Sequence, residues 1–128
     1  MKSGEVCIVS GASKGLGADI AEKLLAQGVR VATFSRNRSD RVQAFSEHYA
    51  DAFYWESVDM SDPAALERFV EAVIEKYGRI DGLVNNAAVY LEKPFLDVTL
   101  SDIERLTQIN AVSPIYLTPV SYTHLTLP

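Results

Sequence analysis

Three glycines spaced Gly11-x-x-x-Gly15-x-Gly17 follow the apolar run Val6-Cys7-Ile8-Val9 and precede an amphipathic stretch. No other feature of the chain restricts its folding as strongly. A short apolar run closed by a turn reads as a buried strand. When such a strand bends at once into a helix, the helix's first N–H groups and the positive end of its dipole face out of the sheet's carboxyl edge. That opening accepts a diphosphate. Gly11 permits the tight turn, Gly15 lets backbone approach phosphate without an intervening Cβ, and Gly17 lets the helix lie close on the strand. Gly11, Ala12, Ser13, Lys14, Gly15, Leu16 and Gly17 are therefore the expected phosphate-binding turn, although the spacing differs from the Gly-x-Gly-x-x-Gly dinucleotide fingerprint. Taken alone, a glycine turn that binds nothing is the competing explanation.

The rest of the chain alternates strand and helix. Ala18 to Gln27 carries Ile20, Ala21, Leu24 and Leu25 at helical spacing, and Gly28 closes it. Val29 to Ser35 reads as a second strand. A second helix opens at Ser39 or Asp40 and runs to about Tyr49, with Val42, Ala44 and Phe45 inward. Ala52 to Val58 is aromatic and β-branched, a third strand. Ser61-Asp62-Pro63 caps a third helix, marked by Leu66, Phe69, Val70, Val73 and Ile74 and stopped by Gly78. Ile80 to Val84 is a fourth strand, and Ser101-Asp102-Ile103-Glu104 reads as a capping box opening a fourth helix. Strands joined by helices of this length pair in parallel through right-handed crossovers. The expected fold is α/β: a Rossmann-type, doubly wound parallel sheet between two helical layers, truncated after the fourth helix, with ligands at the carboxyl edge.

The 128 residues suffice for one domain, and 48% hydrophobic with 23% charged residues is an ordinary globular composition. A net charge of −5 argues against nucleic acid or a membrane surface as partner. No segment has the length of a membrane span or the layout of an export signal, and the single cysteine, Cys7, reads as a buried small hydrophobe. The reducing cytoplasm is the expected compartment.

Each strand's carboxyl end supplies a candidate ligand contact. The second ends Phe34-Ser35-Arg36-Asn37-Arg38, with no acid to bond the adenosine ribose hydroxyls. Arg36 offers a planar fork for a phosphate on that ribose, and Lys14 supplies a second charge on the same side. NADP(H) is thus the expected cofactor and NAD(H) the second choice; solvated loop charges at Arg36 and Arg38 are the alternative. The third strand ends Val58-Asp59-Met60, where Asp59 can accept from an adenine amino group while Met60 packs near the ring, or belong to the following helix cap. The fourth ends Asn85-Asn86-Ala87-Ala88: the amides either fix neighbouring loops or meet a polar ligand, and the small Ala87 and Ala88 let a ribose come close.

From about Val6 to Thr118 these residues resemble the N-terminal half of the short-chain dehydrogenases/reductases. The likeness is carried by the glycine turn, the acid after the third strand, the Asn-Asn-Ala motif after the fourth (with Ala88 where the family has glycine) and an asparagine in the fourth helix. Asn110 matches the helical asparagine of the family's Asn-Ser-Tyr-Lys set. The resemblance implies hydride transfer between nicotinamide and a small carbonyl or alcohol, and a proton relay in which the asparagine backbone holds a water. Pro114, four residues on, cannot donate to the Asn110 carbonyl, so a kink there frees that oxygen; a helix that simply stops near Ser113 is the alternative. The family's serine and Tyr-x-x-x-Lys are absent from the 128 residues. Residues 1–118 are expected to form the cofactor domain and 119–128, which resemble a translated vector junction, a non-native or disordered tail. A full-length protein is expected to be a homo-oligomer. Two functions stay open: an NADP-dependent oxidoreductase of which this is the N-terminal part, or a dinucleotide sensor without turnover.

Overall fold

The computed structural model describes residues 1–122. Four strands, β1 (Val6–Ser10), β2 (Arg30–Ser35), β3 (Phe53–Ser57) and β4 (Gly82–Val84), form one sheet in the order β3-β2-β1-β4. All three pairings are parallel, with Val9 of β1 level with Thr33 of β2 and Val84 of β4. Between the strands run α1 (Gly15–Ala26), α2 (Asp40–Tyr49) and α3 (Pro63–Tyr77). Beyond β4 come α4 (Leu100–Thr107), a π-helical turn (Gln108–Val112) and α5 (Ser113–Tyr122).

Strand periodicity divides the core in two. Val6 and Ile8 of β1 face the layer of α3 and α5, where Leu66, Phe69, Val70, Val73 and Leu117 are buried. Cys7 and Val9 face the layer of α1 and α2, against Ala18, Ala21, Leu25, Val42 and Phe45. Both faces of β1 are thus covered, as a central parallel strand requires. Burial pushes the Cys7 thiol up to about 11, which leaves it an inert apolar group at neutral pH. No helix among the described residues is long and apolar enough to cross a membrane.

Several expectations shift. The first helix starts at Gly15, three residues before Ala18, because the glycine turn itself supplies its opening residues. Asp62, not Ser61, caps α3, its carboxylate accepting from Ala64 N at 3.1 Å and Ala65 N at 3.3 Å. Ala44 is exposed on α2. The capping box of α4 is formed by Thr99 and Asp102: the Thr99 hydroxyl accepts from Asp102 N at 3.1 Å and the Asp102 carboxylate from Thr99 N at 3.0 Å. Thr99 has the extended backbone that a cap residue needs, and Ser101 is already helical. The boundary expected at residue 118 coincides with no helix end, since α5 continues through Pro119 to Tyr122 and buries Ser121. Residues 123–128 of the expected tail lie outside the described residues.

Candidate functional site

The site grows from the end of β1. Gly11 and Gly15 hold φ of +69° and +59°, the left-handed region that glycine enters at least cost. A Cβ on Gly17 would stand 2.4 Å from Asn86 Nδ2 and 2.5 Å from the Gly11 carbonyl, whereas one on Gly15 would meet nothing within 4 Å. The two glycines therefore do different things: Gly17 admits close packing and Gly15 leaves an open approach. Lys14 is the N-cap residue of α1, and among the described residues no side chain caps the helix. Its first-turn N–H groups have no intrahelical partners.

Ser10, to which the sequence reading gives no role, ties this turn to the end of β4. Its fully buried hydroxyl accepts from Asn86 N and Ala87 N, both at 2.9 Å. The Asn86 side chain answers by donating to the carbonyls of Ser10 at 3.2 Å and Gly11 at 3.3 Å. Asn86 thus fixes the glycine turn. Asn85 turns the other way and donates to Thr118 Oγ1 on α5 at 3.1 Å. A lone serine closing an apolar strand was the available signal for Ser10.

Around these loops lies a cavity of about 340 Å³. Gly11, Ser13, Lys14, Gly15, Arg36, Asp59, Met60, Asn86, Ala87 and Ala88 all line it, so three strand ends and the glycine turn converge. Three residues of the turn do not. Ala12 is wholly buried and spends its N–H on Thr33 Oγ1 at 3.1 Å; Leu16 points outward, 69% exposed; Gly17 packs behind Asn86. Arg105 and Ile109, one helical turn apart, close the far wall. Neither was expected there, because placing them requires knowing how α4 packs.

Lys14, Arg36 and Arg105 line this cavity with one carboxylate, Asp59. Hydrogen bonds from Ser61 Oγ (2.7 Å) and Ser61 N (2.9 Å) hold the Asp59 carboxyl below its ordinary range, with Arg105 and Arg36 acting in the same direction. The Asp59 carboxylate is thus engaged with the residue after Met60, ahead of the cap that Asp62 gives α3, while still bordering the cavity. Arg38 is drawn away, its guanidinium 5.6 Å from the Trp55 ring centroid and 3.2 Å from Ser46 Oγ.

Asn110 lies in the π-helical turn and outside the residues that line the cavity. Its side chain accepts from Val89 N at 2.8 Å and donates to Val89 O at 2.6 Å. Val89 does line the cavity, so Asn110 anchors one of its walls. The helix does not stop near Ser113. It widens, Ser113 N bonding to Gln108 O, just before Pro114, which lacks the N–H that the Asn110 carbonyl would otherwise receive.

Comparison with known proteins agrees with this architecture. The family model described as short chain dehydrogenase matches residues 5–126. Agropine synthesis reductase of Rhizobium rhizogenes is 36% identical over 124 residues, covering 94% of this chain and 28% of that protein. Sorbitol-6-phosphate 2-dehydrogenase of Klebsiella pneumoniae is 35% identical over 92 residues, 72% of this chain and 33% of its own length. A short chain dehydrogenase of Burkholderia cenocepacia J2315, solved in complex with NADP, superposes with a TM-score of 0.88 at 32% identity over 96% of this chain and 51% of that one. The chain therefore spans between 28% and 51% of the length of these relatives. On its fold and on the family match, it belongs to the short chain dehydrogenases.

Proposed function

We propose that this chain is the N-terminal, cofactor-binding part of an NADP(H)-dependent oxidoreductase acting on a small carbonyl or alcohol. The observation that carries this reading is the convergence of Lys14, Arg36, Gly15 and the uncapped start of α1 on one cavity. The fit to a dinucleotide rests on this chain's own geometry. An open approach at Gly15 and first-turn N–H groups suit a diphosphate. Arg36, at the carboxyl end of β2, suits a phosphate on the adenosine ribose. Asp59 and Met60 suit the adenine, and Ala87 with Ala88 leave room for a ribose. When bound, the nicotinamide supplies or takes the hydride. Asn110 serves by fixing the cavity wall at Val89 and by its carbonyl at the π-helical turn, in keeping with its match to the family's catalytic asparagine. The serine and the Tyr-x-x-x-Lys that complete that set are expected in a second half. The exposed Leu100, Ile103 and Ile115 on α4 and α5 support a homo-oligomeric whole protein.

The test is kinetic. In the intact protein, Arg36→Asp should lower kcat/KM with NADPH and raise it with NADH, shifting the ratio by about a hundredfold, the sum of one lost and one added charge-assisted contact. An unchanged ratio overturns the NADP(H) assignment. An intact protein that binds NADPH but lacks a downstream Tyr-x-x-x-Lys and turns nothing over is a dinucleotide sensor instead.

A further inference from the structure

We propose that Arg105 is a second recognition group for the phosphate on the adenosine ribose, working opposite Arg36 and selecting the phosphorylated dinucleotide. This rests on the NADP(H) reading above and deepens it, because the strand-end position that points to Arg36 says nothing of α4.

The chain's guanidinium groups are not equally engaged. Arg41 is paired with Asp19 and Glu22, Arg79 with Asp81, and Arg30 bonds the Gly4 carbonyl. Arg38 meets Trp55 and Ser46, and Arg68, with no ion pair among the described residues, does not line the cavity; Arg36 and Arg105 do. Among the described residues no carboxylate lies within ion-pair distance of Arg36, and Arg105 has only Asp59, at 3.9 Å. That separation exceeds a hydrogen bond, so the Arg105 fork keeps its donors for another acceptor.

The two groups also share their surroundings. Both line the cavity of the glycine turn, and both line a smaller adjoining one of about 200 Å³ beside Tyr90 and Leu91. They thus bound the same gap from two elements, Arg36 from the end of β2 and Arg105 from α4, and the carboxylate that shares the smaller cavity, Asp102, is already paired with Lys93. A phosphate dianion has more acceptor sites than one fork can fill, and two guanidinium groups across a gap satisfy it better than one. Asp59 makes the second cation necessary. Its carboxylate, kept ionised by Ser61, stands in the same cavity and would repel a phosphate unless a positive charge lay against it. Arg105 is that charge. In a chain of net charge −5, three cations and one carboxylate around a single cavity also form a local positive field.

The test measures binding of two probes that differ only in the phosphate of interest, adenosine 2′,5′-bisphosphate and AMP, to the intact protein by calorimetry. Arg105→Gln should weaken the bisphosphate by about tenfold, the ordinary effect of one charge-assisted contact, and leave AMP within about twofold. Arg105→Lys, which keeps the charge, should restore most of the difference and steepen its salt dependence relative to Arg105→Gln. Equal losses for both probes, or no loss for either, overturn the role of Arg105 while the NADP(H) reading stands, provided the unmutated protein prefers the bisphosphate. An unmutated protein that binds the two probes equally overturns both.

Discussion

Asn110 pairs with the backbone of Val89 as a neighbouring strand would, accepting from its N–H at 2.8 Å and donating to its carbonyl at 2.6 Å. One side chain thereby holds the segment after β4 against the helical layer. The arrangement needs an amide, since only an amide presents donor and acceptor side by side.

Asn110→Ala should therefore cost about 1–2 kcal/mol, two modest hydrogen bonds at a partly solvated position. Asn110→Asp should cost more, because a carboxylate oxygen would face the Val89 carbonyl. Thermal unfolding of the two variants checks the order, and an Asp variant as stable as the parent would contradict it.

Gly17 and Gly15 should both lose stability on changing to alanine, for different reasons and by different amounts. At Gly17 the new methyl would lie 2.4 Å from Asn86 Nδ2 and 2.5 Å from a backbone carbonyl, so the turn must shift, at about 2–3 kcal/mol or more. At Gly15 the methyl meets open space, and the cost is the left-handed backbone alone, about 1–2 kcal/mol. Gly17→Ala should also disturb the Asn86 side-chain amide in NMR spectra while Gly15→Ala leaves it in place; identical spectra would sink the distinction.

Ser10→Ala removes the acceptor of two N–H groups at a fully buried position. About 2–3 kcal/mol of stability should be lost, with faster hydrogen exchange at Asn86 and Ala87 than elsewhere in the sheet. Uniform exchange across the sheet would argue that the hydroxyl is not the tie.

Asp102 is held at about 2, first by the Lys93 ammonium and then by Thr99 N–H. Its folded pKa lies below the unfolded value of about 3.9, so its contribution is complete above that pH and is lost as pH falls through the folded pKa. Lys93→Met should raise the Asp102 pKa and bring the acid-side loss of stability to higher pH. Carboxyl NMR titration reads this directly, and an unmoved Asp102 titration would refute the Lys93 contribution.

The 128-residue chain by itself should self-associate. Strand β4 is an outer strand of the sheet, and Phe95, Leu96 and Leu100 are 89%, 92% and 70% exposed. Sedimentation should reveal aggregates that shrink when Leu96 and Leu100 are changed to polar residues. A monomeric parent with a sharp melting transition would defeat this expectation.

Much of the architecture was legible in the residues because it depends on local chemistry. Apolar runs mark β1 and β2, Gly28 and Gly78 with φ of +84° and +75° end α1 and α3, and the glycine turn announces its own geometry. The sequence is ambiguous where neighbouring residues compete for one role. Asp62 displaced Ser61 as a cap, and Thr99 displaced Ser101, since either residue carries a suitable oxygen and only the local backbone decides which one reaches the N–H.

By itself the sequence determined the alternation of strands and helices and the chemistry available at each strand end, because periodicity, turns and side-chain type act over a few residues. Tertiary structure alone decided that Ala12 spends its N–H on Thr33, that Ser10 and Asn86 bind each other's backbone, and that Arg105 stands near Asp59. Those pairs lie 21 to 76 residues apart for the hydrogen bonds, and such partners meet only once parallel strands and their crossovers have set the distance between loops.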